Sequence, residues 1–185
     1  MIKIFSIIVL SLIVAFKVMA YEEANYEVVK KNETYEIRKY SDRWAIETIT
    51  SNQSSGFRKL FNYISGNNTG NRKIKMTTPV TQVEKNGSMT MQFYLPSKFK
   101  KYNIPSPSNS DVKIINIKGG YYAVITYSGG DSLASLQSHK ILLKSYLRAD
   151  EILIISPPIR ASYNRPFTLN KLRRNEVMFK IDINL

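Results

Sequence analysis

Residues 35–48 read YEIRKYSDRWAIET, and residues 112–126 read VKIINIKGGYYAVIT. Ile37 matches Ile114, and Trp44-Ala45-Ile46 matches Tyr122-Ala123-Val124, at offsets of 77 and 78 residues. In both stretches apolar and polar positions alternate, as half-buried strands require. Each stretch runs into an amphipathic segment of helical period. The first spans about Ser55 to Ser65, with Phe57, Leu60, Phe61 and Ile64 on one face, a serine at its start and Gly66 just past its end. The second spans about Asp131 to Leu147 after Gly129-Gly130, with Leu133, Leu136, Leu143 and Leu147 sharing a face and Asp131 placed to cap it. A period this long argues against a solenoid and for two halves related by a pseudo-twofold axis, each strand–strand–helix–strands. Such halves predict an α+β fold, an antiparallel barrel-like sheet with two outer helices.

Further strands are expected at 89–95, 111–117, 121–127, 151–155 and 176–183, with a long surface connection over 96–110, where three prolines fall among serines. The groove between sheet and helix is the natural ligand site, because ligands fit where layers diverge.

The first twenty residues read differently. Lys3, an apolar run from Ile4 to Phe16 and the ending Lys17-Val18-Met19-Ala20 have the form of a secretory signal peptide cleaved before Tyr21. The run is short of the ~20 apolar residues that span a bilayer. Residues 21–185 are then a single domain in the secretory pathway, secreted or luminal. The sequence has no cysteine, so disulfides, thiol catalysis and thiolate haem ligation are excluded. N-x-[ST] sequons at Asn32, Asn52, Asn67 and Asn86 are expected at the surface.

Losing Lys3 and Lys17 lowers the formal charge from +13 to +11. That charge favours anionic partners. The basic residues are scattered, apart from Arg173-Arg174 and the Lys98–Lys101 cluster, so no nucleic-acid partner is expected. With one histidine and fourteen acidic residues, the chain offers no nucleophile–base arrangement and no metal-ligand spacing, and it reads as non-catalytic.

The ordered set YEIRKY (35–40), Trp44, SGFRKLFNYISGNN (55–68), KIKMTTPV (73–80), FYLPSKF (93–99), Pro105-Ser-Pro107 and YNRPFTLNKLRRNEV (163–177) resembles the SOUL/haem-binding protein family over nearly the whole mature chain. The resemblance implies a distorted antiparallel β-barrel of two βαββ-like repeats flanked by two helices. It also implies non-covalent, weakly specific binding of haem or another tetrapyrrole in a shallow apolar site beside the first helix. KIKMTTPV would return the chain from helix to sheet, with Pro79 fixing its own φ and biasing Thr78 towards extended geometry. Asn175 and Glu176 would make buried hydrogen bonds that close the barrel.

Haem needs an apolar slot, cations for its propionates and often an axial ligand. Phe57, Phe61 and Met76 are candidates for the slot; Arg58 and Arg165 are candidates for the propionates. Asn62 stands where a relative's lysine aligns, which weakens that contact. One branch of the family carries a histidine in the YEIR motif; here the place holds Lys39, an ammonium that titrates near ~10.4 and must lose its proton to bind iron. The only histidine, His139, lies in the second helix and is the other weak iron-ligand candidate. The expected role is a monomeric carrier, buffer or scavenger of tetrapyrrole. The alternatives are a cationic protein that meets a protein partner or an anionic membrane surface, and a general binder of amphipathic small molecules.

Overall fold

The computed structural model describes residues 21–85, 87–130, 132–165 and 167–183. The expected signal segment, Asp131 and Asn86 of the fourth sequon lie outside the described residues. Twelve strands and two helices follow in chain order: β1 (Glu22–Glu23), β2 (Tyr26–Lys31), β3 (Glu36–Tyr40), β4 (Arg43–Thr50), α1 (Gln53–Ile64), β5 (Thr77–Thr78), β6 (Val80–Lys85), β7 (Ser88–Tyr94), β8 (Lys113–Ile117), β9 (Gly120–Tyr127), α2 (Leu133–Ala149), β10 (Leu153–Ile154), β11 (Ile159–Ser162) and β12 (Asn175–Asp182).

One antiparallel sheet carries the fold, in the order β2-β3-β9-β12-β11-β6-β7-β4-β8, with β10 added beside β12. The two halves are β3-β4-α1-β6-β7 and β8-β9-α2-β11-β12, and they interlock by exchange. β3 of the first half pairs with β9 of the second, β8 of the second pairs with β4 of the first, and β6 meets β11 in the middle. The repeat thus appears as a pseudo-twofold relation whose axis runs between β6 and β11. The sheet curls into a half-barrel, with β2 and β8 at its two ends.

Exchange also decides the core. Ile37 of the first half packs with Leu143 and Leu147 of α2, and Ile114 of the second half packs with Leu60 and Ile64 of α1. Neither half can bury its apolar strand face alone.

The helices start earlier or later than the periodicity predicts. Asn52 caps α1 through its side-chain oxygen, which accepts from the Ser55 amide at 3.1 Å, and Ser132 caps α2 in the same way through the Ser135 amide. The apolar stripe of α1 is rotated from expectation: Tyr63 turns inward to donate to the Pro105 carbonyl at 2.7 Å, while Phe61 is left 47% exposed. On α2, Leu133 is exposed as well. The connection over 96–110 is not a free surface loop, because Pro96, Phe99 and Pro105 are buried and Phe99 joins the cluster under α1. β2, β6 and β11 are strands that apolar alternation does not single out. Asn32, Asn52 and Asn67 are exposed, as sequons should be.

The KIKMTTPV segment does what its place in the chain requires. The Ile74 amide donates to the Ile64 carbonyl at 2.8 Å, Thr77 Oγ1 donates to the Tyr94 carbonyl at 2.6 Å, and β5 pairs in parallel with β1. The Thr78–Pro79 peptide is cis, and Val80 then opens β6.

Candidate functional site

On the helix-bearing face of the sheet, α1 stands on β4 and β7 while α2 stands on β9 and β12. The central pair β6–β11 lies between them and is only partly covered. Strand alternation puts Val80, Gln82 and Glu84 of β6 and Arg160 and Ser162 of β11 on this face. Two clefts result. One, of about 340 Å³, lies beside α1 and is lined by Phe57, Val80, Gln82, Arg160, Arg165 and Arg173, among others. The other, of about 410 Å³, lies beside α2 and is lined by Leu133, Leu136, Lys140, Pro158 and the shared residues Gln82 and Arg160. Both volumes fall within the range of ~300–1,000 Å³ usual for small-molecule sites.

The α1 cleft joins an apolar wall to three cations. The Phe57 ring packs edge-on against Phe93 at 5.2 Å and stacks on Phe61 at 5.8 Å, so helix and sheet together fix its position. Arg165 is exposed at the rim, with Nε donating to the Tyr21 hydroxyl at 3.0 Å. Arg173 and Arg174 are neighbours that part company: Arg173 goes to the cleft, while Arg174 turns to the other face and a buried carboxylate.

That carboxylate is Glu176, fully buried, and it satisfies the expectation for the RRNEV motif. It accepts two bonds from Arg38 at 3.0 and 3.1 Å, one from the Tyr163 hydroxyl at 2.7 Å and two from Arg174 at 2.9 and 3.1 Å. Desolvation by burial, with the neighbouring Glu176 charge, pushes the Tyr163 hydroxyl far above its ordinary value. The neighbouring Asn175 donates to the Gly129 carbonyl at 3.2 Å and faces the cleft. The motif therefore ties together β3, β12 and the strand ends around the cleft.

Of the residues expected at the site, Phe57 and Arg165 meet in this cleft. Phe61 extends Phe57's ring towards solvent. Arg58 and Asn62 are exposed and stand outside the lining, and Met76 packs into the cluster under α1. The two iron-ligand candidates also stand outside it. Lys39 lies exposed on β3 with its ammonium over the Tyr121 ring at 5.6 Å. His139 is stacked on Tyr127 at 4.0 Å, and its Nδ1 is 2.8 Å from the Ser135 carbonyl.

Among the described residues, the lining of the α1 cleft holds no histidine, methionine or tyrosine, the side chains that usually ligate haem iron besides cysteine. The residues present fit a porphyrin ring and its carboxylates, and do not supply an iron ligand. Sequence reasoning missed Arg160, Arg173 and Gln82. The alternation in IRAS (159–162) could have found Arg160, since it places Arg160 and Ser162 on the face opposite Ile159 and Ala161.

The family described as SOUL heme-binding protein matches residues 21–180. The chain is 33% identical over 165 residues to heme-binding protein 2 of Homo sapiens, covering 82% of this chain and 79% of that protein. It is 32% identical over 166 residues to heme-binding protein 2 of Mus musculus, covering the same shares. Among solved structures, the EcmrR C-terminal domain superposes with a TM-score of 0.61 at 13% identity, covering 85% of this chain and 98% of that one. A hydrolase from Listeria innocua superposes with a TM-score of 0.57 at 9% identity, covering 83% of this chain and 94% of that one. At such identities the last two likenesses concern the fold alone.

Proposed function

We propose, since the chain belongs to the SOUL heme-binding family, that it binds haem or a related tetrapyrrole reversibly in the cleft between α1 and the β6–β11 pair. It acts as a carrier, buffer or scavenger in the secretory pathway and not as a catalyst. The observation that supports this most is the convergence of Phe57, from the first helix, and Arg165, from the C-terminal motif, in one cleft with Arg160 and Arg173. Phe57 and Val80 offer the ring an apolar face; the guanidinium groups offer the propionates charge-assisted bonds. If ring burial and propionate pairing carry the affinity, iron adds little to it. Parallel titrations with haemin and iron-free protoporphyrin, followed by absorbance and by Trp44 quenching, test this. The expected result is saturable one-to-one binding of both, within a few-fold of each other. Absence of saturable binding of either overturns the reading.

A second reading has its own observation. Phe167 is 98% exposed, and Leu169 and Leu172 are exposed beside it, on the segment that also carries Arg165, Lys171 and Arg173. Apolar tips among cations suit an anionic lipid surface, and two of those cations, Arg165 and Arg173, line the cleft. Sedimentation with phosphatidylserine vesicles, lost in Phe167→Ser or raised salt, supports this reading; equal binding to neutral vesicles removes it.

A further inference from the structure

A cavity of about 440 Å³ that shares no lining residue with either cleft opens between residues 22–25, 41–44 and 94–100. Its walls include Trp44, Tyr94, Leu95 and Phe99, and Arg43 lines it. Arg43 is unusual among the arginines turned inward. Arg38 and Arg174 both reach Glu176, whereas Arg43 forms no ion pair among the described residues. Its guanidinium lies against three tyrosine rings, Tyr40 at 4.6 Å, Tyr94 at 4.8 Å and Tyr122 at 5.5 Å from their centres. Its hydrogen bonds are long: Nη1 to the Ser41 carbonyl at 3.5 Å and Nη2 to the Tyr94 hydroxyl at 3.4 Å. Its Nε is buried and donates to nothing.

A guanidinium offers five donors in a plane and matches a carboxylate edge-on. Three rings stabilise the charge in part, but a half-buried cation without a counter-charge is left under-compensated.

The carboxylates around the cavity do not fill this role. Asp42, next in sequence, turns to the Lys118 ammonium at 2.8 Å and the Gly119 amide at 2.9 Å. Glu22 accepts from the Ser97 amide at 2.7 Å, and Glu23 pairs with Arg174 at 3.0 Å. Each is turned to a partner of its own; of the two cations that line the cavity, Lys100 is exposed, and Arg43 is the half-buried one that lacks an anion.

We propose that this cavity is a second ligand site, distinct from the tetrapyrrole cleft, for a small molecule carrying one carboxylate on an apolar body. The carboxylate meets the guanidinium of Arg43 where it lines the cavity, and the apolar body lies along Trp44, Leu95 and Phe99. The proposal stands whether or not the α1 cleft takes haem.

Trp44 is the only tryptophan, so its emission reports on this cavity. The probes are decanoate, 1-decanol and decyltrimethylammonium, each below its micelle-forming range. The expected result is a saturable change in Trp44 emission with decanoate, and binding weaker by about tenfold or more with the alcohol, the usual worth of a charge-assisted hydrogen bond. The decyl cation should give no saturable change. Arg43→Gln should weaken decanoate by the same factor while haemin binding persists. Should Arg43→Gln fail to fold, Ser97→Tyr, which keeps Arg43 and fills the mouth, should abolish the change. Equal responses to decanoate and decanol, an unchanged response in Arg43→Gln or in folded Ser97→Tyr, or no saturable response at all would overturn the proposal.

Discussion

Glu176 is the residue on which most of the barrel's polar interior depends. Two arginines, a tyrosine and Thr126 converge on one fully buried carboxylate, and its charge offsets the two guanidinium groups beside it. Replacing it by glutamine keeps the shape and removes the charge, leaving Arg38 with Glu36 at 2.7 Å as its remaining anion. Stability in urea should fall by about 3–5 kcal/mol, the range for breaking a buried ion pair from one side. A loss below ~1 kcal/mol would show that solvent reaches the network.

The tyrosines make a second prediction at this scale. Burial raises the hydroxyls of Tyr35, Tyr40, Tyr63, Tyr122 and Tyr163; that of Tyr63 is pushed up to about 12. A group whose folded value is raised contributes stability that is complete below its unfolded value, here 10.0, and that is lost as pH rises towards the folded value. The protein should therefore hold its stability up to about pH 10 and lose it steeply above, with tyrosinate absorbance appearing together with the loss of the circular-dichroism signal. Tyrosinate that forms fully near pH 10 in a still-folded protein would contradict the burial.

At the scale of elements, α1 sits close to β4 because Gly56 lets it. A methyl group at Gly56 would come within 2.7 Å of Thr50 Cγ2, a stiff β-branched side chain. Alanine gains ~1 kcal/mol of helix propensity, yet overpacking costs about 1–3 kcal/mol. Gly56→Ala should be net destabilising by about 1 kcal/mol in thermal or urea unfolding, and adding Thr50→Ser should restore the parental value or exceed it. An increase in stability from the single change would mean that helix and strand are further apart.

The elements also show why some of the site was legible and some was not. Phe57 could be read from the helical stripe, and the pairing of the two halves from the matched strands, because burial imposes a period on both. Phe61 shares that period and is exposed, since Tyr63 has a carbonyl to reach and takes its place inside. β6 and β11 were invisible as strands for a related reason. Their helix-side faces carry Val80, Gln82, Arg160 and Ser162, so the polar residues lie where a sheet would ordinarily be apolar. What hides these strands from hydrophobic patterning is what gives the cleft beside them its polar lining.

At the scale of the whole molecule, exchange of strands between the halves leaves the central pair uncovered, and the proposed tetrapyrrole site lies in that gap. Arg160, Arg165 and Arg173 lie on its border, on a chain of formal charge +13. Affinity for haemin should fall with ionic strength, roughly several-fold between 0.05 and 0.5 M salt as the screening length shortens from above 10 Å to below it. Isothermal titration across that range measures the slope; a flat profile would move the propionates away from these arginines. The measurement closest to the central claim is the affinity of haemin for Phe57→Glu beside that of the parent, with melting curves to confirm that both are folded. A carboxylate in the ring's place should weaken haemin by about tenfold or more, since it removes an apolar wall and repels the propionates. A folded Phe57→Glu that binds haemin as tightly as the parent would place the tetrapyrrole somewhere other than the cleft beside α1.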